Sequence, residues 1–129
     1  MVDAREVLQI KAEERLAGAE SEMVAPRYNH AANRCYHACY QAAVVALRRA
    51  GIQPPRGATD QWGHAAVQAD FVGLLINQRK RYPADLRAVL GRGFSLRQSA
   101  NYTRDRVSEC EARLVLRRSR EFVEAIWNG

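Results

Sequence analysis

The sequence has no apolar run long enough to cross a membrane. The longest stretch without a charged residue in its apolar region, Cys35 to Leu47, is well short of the roughly 20 residues that a membrane-spanning helix needs. The opening residues, "MVDAREVLQIKAEERL", mix charged and apolar side chains from the third position, so they lack the apolar segment of a secretory signal. We therefore expect a cytoplasmic protein that does not enter a membrane.

Cysteines are also scarce. There are three, an odd number, and Cys35 and Cys39 lie four residues apart on one predicted helix. This is a poor framework for disulfides and fits reduced thiols buried as small apolar groups. On a helix His37 points away from both cysteines, so the ligands do not converge as zinc requires. We predict no disulfide, no metal and no cofactor.

The length of 129 residues suits one domain, residues 1–129, and a hydrophobic fraction of 47% excludes a disordered chain. Strand-like alternation and hairpin turn signals of useful length are missing, whereas helical periodicity recurs almost everywhere. The pattern predicts an all-α fold, with four to five helices in an antiparallel bundle.

The first two predicted helices differ in their apolar faces. The first has a thin apolar stripe and ends near Pro26, and the second runs from Arg27 to Ala50 and stops at Gly51. Small side chains on the second helix predict close approach of a neighbouring helix, beside a face of larger residues. The stripe is Leu8, Ala12, Leu16, Ala19 and Met23; the small residues are Ala31, Ala32, Cys35, Cys39, Ala42 and Ala46; the larger face is Tyr36, Tyr40, Ala43 and Leu47.

Three further helices are predicted. Thr59 or Asp60 can cap the third, and the fourth begins near Pro83 with Gly91 and Gly93 predicting a kink or break inside it. Ser108 and Glu111 have capping-box spacing at the start of the fifth. Its apolar positions follow at helical intervals: Ala112, Val115, Leu116, Ser119, Phe122, Val123 and Ile126.

Basic charge is concentrated in the second half of the chain. Residues 1–24 contain three basic and six acidic side chains, whereas residues 79–120 contain twelve basic and four acidic, and eighteen of the twenty basic residues are arginine. Arginine suits phosphate recognition, so an anionic partner such as RNA is physically reasonable. Biased codon usage and ordinary solvated arginines are the alternative explanation.

Four segments in a fixed order resemble the HEPN superfamily, in particular its small stand-alone bacterial and archaeal members. They are "AANRCYHACYQAAVVALRRAGI", "GHAAVQADF", "FSLRQSANY" and "VSECEARLVLRRSREFVEAI", and the resemblance covers about Arg27 to Ile126. It implies a helical bundle that is often a homodimer. Many such proteins are metal-independent endoribonucleases encoded beside a minimal nucleotidyltransferase, as toxin and antitoxin.

The nuclease motif of that superfamily, an Arg followed by a His after four to six residues, is missing. In its place stands Arg97, followed at Ala100, Asn101 and Tyr102 by residues similar to the Arg-x-x-Ala-Asp-Tyr form, with Asn101 where an acid is usual. The resemblance makes Arg97, Tyr102 and Asn101 the candidate catalytic residues. Arg97 can steady phosphate charge, but proton transfer near neutral pH would need a histidine brought close by folding.

The second helix has a polar stripe that could line a cleft or face water. It comprises His30, Arg34, His37, Gln41 and Arg48. From it we take Arg34 and His37, together with Arg104, as candidate RNA- or nucleotide-binding residues. Arg97 has a structural alternative, a buried arginine paired with an acid or with carbonyls. We expect His64 to hydrogen-bond the backbone or a neighbouring helix.

Two functions follow. The first is a HEPN-like protein of the toxin–antitoxin type that binds RNA or nucleotide and acts as a weak metal-independent endoribonuclease. The second is a non-catalytic helical module that dimerises or docks a nucleotidyltransferase-like antitoxin. The missing Arg-to-His spacing favours the second function, and the arginine-rich half of the chain favours the first.

Overall fold

The computed structural model describes residues 4–24, 27–54, 63–102 and 107–128 and, within them, the side chains of residues 7–24, 27–54, 63–96 and 107–128. All regular structure in these ranges is helical, which confirms the predicted all-α class. The α-helices are α1 (Ala4–Val24), α2 (Tyr28–Arg49), α3 (His64–Asp70), α4 (Arg87–Tyr102) and α5 (Glu109–Asn128). α3 continues directly into a π-helix, Phe71–Gln78, and a 3-10 turn, Ala84–Leu86, leads into α4.

Two predicted helix boundaries are confirmed in detail. At the end of α2, Gly51 has a φ of 77°, and the amides of Gly51 and Ile52 donate to the carbonyls of Arg48 and Leu47, both at 3.0 Å. This is the left-handed stop that glycine favours. The capping Thr59 or Asp60 predicted for the third helix lies outside the described residues.

The start of α5 is a complete capping box. The Ser108 amide donates to Glu111 Oε1 at 3.0 Å, and the Glu111 amide donates to Ser108 Oγ at 3.1 Å. Each bond satisfies an amide that the first turn of a helix leaves without a partner. The predicted start of this helix is therefore confirmed by its own cap.

α2 is the central helix of the bundle. Helices that follow each other, α1 with α2 and α4 with α5, run antiparallel as predicted, whereas α2 and α5 lie side by side and run parallel. The pairs that show the parallel arrangement are Ala32 with Ala112, Cys39 with Ser119 and Arg49 with Ile126. The small residues of α2 face α1 and α5, as their size predicted.

The main core lies where α2, the π-helix and α5 meet. Its largest fully buried side chains are Phe71, Phe122, Leu47, Leu75 and Ile126. None of the helices in the described part of the chain is long and apolar enough to span a membrane.

The predicted break at Gly91 and Gly93 is wrong, because α4 runs without interruption through both residues, and the alternative, a kink, stays a prediction. A Cβ added at Gly91 would lie 2.8 Å from Gln68 Nε2, and one at Gly93 would lie 3.4 Å from Tyr36 Cδ1. Gly91 thus serves close packing of α4 against α3, whereas a Cβ at Gly93 would meet α2 at an ordinary contact distance. Packing overrides the roughly 1 kcal/mol by which each glycine disfavours a helix interior.

Candidate functional site

The candidate catalytic residues lie in the second half of α4. The backbone of Arg97, Asn101 and Tyr102 is helical, and their side chains lie outside the described ones. In an α-helix Asn101 falls one turn beyond Arg97, whereas position 102 is rotated by about 140° from position 97. Helix geometry therefore groups Arg97 with Asn101 and separates both from Tyr102. Arg104 lies outside the described residues.

Four rings pack together at the place where α2, α3 and α4 meet. We call them the His64 cluster: Tyr36 and Tyr40 from α2, His64 from the first turn of α3, and Phe94 from α4. The ring of His64 has its centroid 5.1 Å from that of Phe94 and 5.3 Å from those of Tyr36 and Tyr40. Such separations are typical of interacting aromatic rings.

A hydrogen bond joins two members of the cluster. The Tyr36 hydroxyl bonds to Nδ1 of His64, and only 3% of the Tyr36 residue is exposed. A hydroxyl on so deeply buried a ring needs a partner, because burying it without one is costly. His64 supplies that partner through Nδ1. The residue is itself exposed, so solvent can reach the imidazole. This confirms the predicted bond to a neighbouring helix.

The cluster adjoins the α4 turn that precedes Arg97. Gly93 packs against the Tyr36 ring, and Phe94 packs against both Tyr36 and His64. Arg97 follows Phe94 by three residues, about 4.5 Å along the helix axis. Folding therefore brings a histidine to the part of α4 that contains Arg97, although the two are 33 residues apart in sequence.

The groups in the cluster differ in what they can do chemically. Burial raises the pKa of the Tyr40 phenol, so this hydroxyl stays protonated at neutral pH. Imidazole is the side-chain type that exchanges protons between about pH 5 and 8. Proton transfer at this site would therefore depend on His64, and the tyrosines would act as hydrogen-bond partners.

The polar stripe of α2 is split between different surroundings. Arg34 lies beside α1, with its Nε 3.7 Å from Oε1 of Glu22. The rings of His37 and Tyr36 pack in an edge-to-face arrangement with their centroids 5.8 Å apart. His30 and Arg48 are exposed. The stripe thus contributes His37 to the edge of the His64 cluster, whereas Arg34 is held by an acid.

Glu22 is the acid that organises this corner of the bundle. Its side chain is only 12% exposed, and Arg27 Nη1 lies 3.6 Å from its second carboxylate oxygen. Two cations within 4 Å compensate the charge of this largely buried carboxylate, although its Oε2 accepts no hydrogen bond from the described residues. Arg34 therefore has a structural role in addition to the anion-binding role predicted for it.

Among the described side chains, no group of three or more His, Cys, Asp or Glu residues could hold a metal ion. Cys35 and Cys39 are buried beside Ser119 of α5, and Cys110 is exposed; all three thiols are free.

The sequence does not indicate that His64 meets the rings of α2 and α4, because these partners come from distant segments. Two features of the sequence could have indicated the cluster. Tyr36 and Tyr40 are one turn apart on one predicted helix, and Gly91 and Gly93 are two residues apart on another. Such a combination indicates a close helix contact beside buried hydroxyl groups. It gives no indication of which of the three histidines meets them.

No protein-family model matches the sequence, and the curated proteins contain no significant match to it. Membership of the HEPN superfamily therefore stays a prediction based on the order and spacing of the four quoted segments.

Proposed function

We propose that this chain is a HEPN-like protein of the toxin–antitoxin type that binds RNA and cleaves it weakly without a metal ion. The observation that carries the proposal is the hydrogen bond between Tyr36 and His64, formed beside the α4 turn that precedes Arg97. It supplies the proton-transfer group that the sequence motif around Arg97 lacks.

The proposed reaction uses the 2′-hydroxyl of RNA as the nucleophile. Its oxygen attacks the adjacent phosphorus as the hydroxyl proton passes to Nε2 of His64, and the bond from phosphorus to the 5′-oxygen breaks. This requires the tautomer in which Nδ1–H of His64 donates to the Tyr36 hydroxyl oxygen. The leaving oxygen takes a proton from solvent, which yields a 2′,3′-cyclic phosphate and a 5′-hydroxyl, and the imidazolium returns its proton to solvent. Arg97 stabilises the charge that develops on the phosphate, and Asn101, one turn further along, lies on the same side of the helix axis.

The imidazole is oriented by the cluster in which it lies. Tyr36 holds Nδ1, and Tyr40 and Phe94 pack against the ring. A group held in place before the substrate arrives loses less entropy in the reaction. We propose the motif residue Tyr102 as a hydrogen-bonding contact to RNA, because its ordinary pKa of about 10 suits proton transfer at neutral pH poorly.

The test is cleavage of a fluorescently labelled RNA by purified protein in EDTA, comparing wild type with Arg97→Ala and His64→Gln. Glutamine can still form a hydrogen bond with the Tyr36 hydroxyl but cannot exchange protons near neutral pH. We expect each variant to lower the cleavage rate at least tenfold. The control is His30→Ala, which replaces an exposed histidine of α2 six residues before Tyr36.

Melting temperatures separate the two roles of Arg97. If Arg97 binds phosphate, Arg97→Ala should change the free energy of unfolding by no more than about 0.5 kcal/mol. If Arg97 belongs to a buried ion pair, the same substitution should lower it by about 3–5 kcal/mol. Wild-type protein that neither binds nor cleaves RNA would overturn the proposal. That result would favour the second function, a docking module for a nucleotidyltransferase-like partner.

A further inference from the structure

Four cations meet at the end of the bundle where α2 finishes. We call this surface the basic end: Arg49 from the last turn of α2, and Arg79, Lys80 and Arg81 from the segment after the π-helix. All four are exposed. Arg79 Nη1 donates to the carbonyl of Ala50 at 3.1 Å, which holds the two segments side by side.

Local carbonyls anchor the arginines without neutralising them. Arg49 Nη1 donates to the carbonyl of Ile126 in the last turn of α5 at 2.9 Å. A guanidinium has five N–H donors, and each of these two bonds uses one. None of the four cations forms an ion pair with another described residue. The surface therefore retains its positive charge and most of its donors.

Two aromatic rings lie among these cations. Tyr82 stacks on the buried ring of Phe71 with centroids 5.4 Å apart, and Arg49 lies 5.8 Å from the ring of Trp127. Burial raises the pKa of Tyr82, and the positive charges of Arg49 and Arg81 oppose part of this rise. Tyr82 and Trp127 are both partly exposed. Arginines interleaved with partly exposed rings are typical of surfaces that bind single-stranded nucleic acid.

Lys80 has a backbone conformation that suits glycine. Its φ is 50°, the only positive φ of a non-glycine residue among those described. The left-handed region is costly for a lysine, and helix ends of this kind normally use glycine. A cation is present where stability alone favours glycine, and such strain is commonly found at functional sites.

We propose that the basic end binds the backbone phosphates of single-stranded RNA, with Tyr82 and Trp127 available to stack bases. The ligand class rests on the proposed function, but the surface is separate from the His64 cluster. Nine residues of α2, about 14 Å, separate Tyr40 from Arg49. Position 49 is rotated by about 180° from position 40 about the axis of α2, so a strand that contacts both sites would pass around this end of the bundle, with its scissile phosphate at His64.

The experiment is a fluorescence-anisotropy titration of labelled 20-nucleotide oligouridylate at several salt concentrations. The test variant is Arg49→Gln/Arg79→Gln/Arg81→Gln. The control is Arg113→Gln/Arg117→Gln/Arg120→Gln, which removes the same charge from the exposed face of α5. We expect the test variant to lose at least tenfold in affinity and the slope of log K against log salt to flatten by about 2, since each phosphate contact on a single strand contributes about 0.7. The control should change affinity less than threefold.

Lys80→Gly separates binding from folding. We expect lower affinity, a slope flatter by about 0.7, and a melting temperature equal to or above that of wild type, because glycine relieves the backbone strain. Equal losses in the test and control triple variants, or wild-type affinity in both the test variant and Lys80→Gly, would overturn the proposal.

The two proposals can fail separately. If His64→Gln and Arg97→Ala leave cleavage unchanged but the triple variant at the basic end loses affinity, the basic end binds RNA and the catalytic proposal is wrong. If cleavage depends on His64 and RNA affinity is unchanged by the triple variant, the basic end has no role in binding.

Discussion

Single side chains determine the chemistry available at the junction of α2, α3 and α4. Tyr36 is almost fully buried, so the bond to His64 satisfies the phenol and orients the imidazole at once. The same bond thus contributes to folding and to the proposed reaction. Replacement of the hydroxyl alone can separate these contributions.

Tyr36→Phe should lower stability by about 1 kcal/mol, because the ring remains packed and solvent can serve the exposed His64. If Tyr36 positions the imidazole, the same change should also lower the cleavage rate about tenfold and shift its pH profile. Urea unfolding and cleavage across a pH series measure the two effects. Tyr28→Phe, at a partly buried tyrosine of α2 outside the His64 cluster, is the control; the prediction fails if the pH profiles of both variants match that of wild type.

At the scale of elements, the glycines of α4 determine how closely this helix approaches its neighbours. Gly93 lies against Tyr36, and Gly91 lies against the flexible end of Gln68. The backbone of α4 therefore comes close to the His64 cluster within an uninterrupted helix. This approach places the turn of α4 that precedes Arg97 against the imidazole.

A size series at Gly93 tests the close approach of α4 to α2. Gly93→Ala should be neutral or stabilise by up to about 1 kcal/mol, since its Cβ would meet Tyr36 at an ordinary contact distance and alanine favours helix. Gly93→Leu should destabilise by about 1–3 kcal/mol through overpacking and should also lower RNA cleavage. Thermal unfolding provides the measurement. Gly73→Leu is the control for size, because a Cβ there meets nothing within 4 Å; equal losses at both positions would contradict the prediction.

At the scale of the whole molecule, α2 organises the bundle because neighbours pack on several of its sides. Cys35 and Cys39 lie between α2 and α5, where burial raises the pKa of both thiols from 9.0 to about 12, partly offset by hydrogen bonding to Ser119. The folded state keeps these protons after the unfolded chain has lost them. The homodimer and the nucleotidyltransferase-like partner stay predictions at this scale.

Stability should therefore fall as the pH rises above 9.0, the ordinary thiol value, and continue to fall towards about 12. With two thiols the slope approaches about 2.7 kcal/mol per pH unit, because the folded state binds more protons than the unfolded state. Urea unfolding between about pH 8 and 11 measures it. The double variant Cys35→Ala/Cys39→Ala should be less stable than wild type, but its stability should depend less on pH in this range. Cys110→Ser, at an exposed thiol, should show the same pH dependence as wild type. A double variant as steep as wild type would contradict the assignment.

Local features of the sequence determined the helices themselves. The stripe on α1, the glycine stop of α2, the beginning of α4 near Pro83 and the capping box of α5 are confirmed, because each depends on residues within a few positions of one another. The burial of Cys35 and Cys39 was predictable for the same reason, since they lie on one helical face of small residues.

Only the tertiary structure decided which helices meet and which polar groups they bring together. Gly91 and Gly93 weaken any helix locally. Only the neighbouring Gln68 and Tyr36 make these two positions part of a helix contact. Tyr36 and His64 are 28 residues apart, and Arg34 finds Glu22 across a helix interface. Such pairings depend on how whole helices pack, a sum of many weak contacts over distant segments, and for that reason no local pattern specifies them.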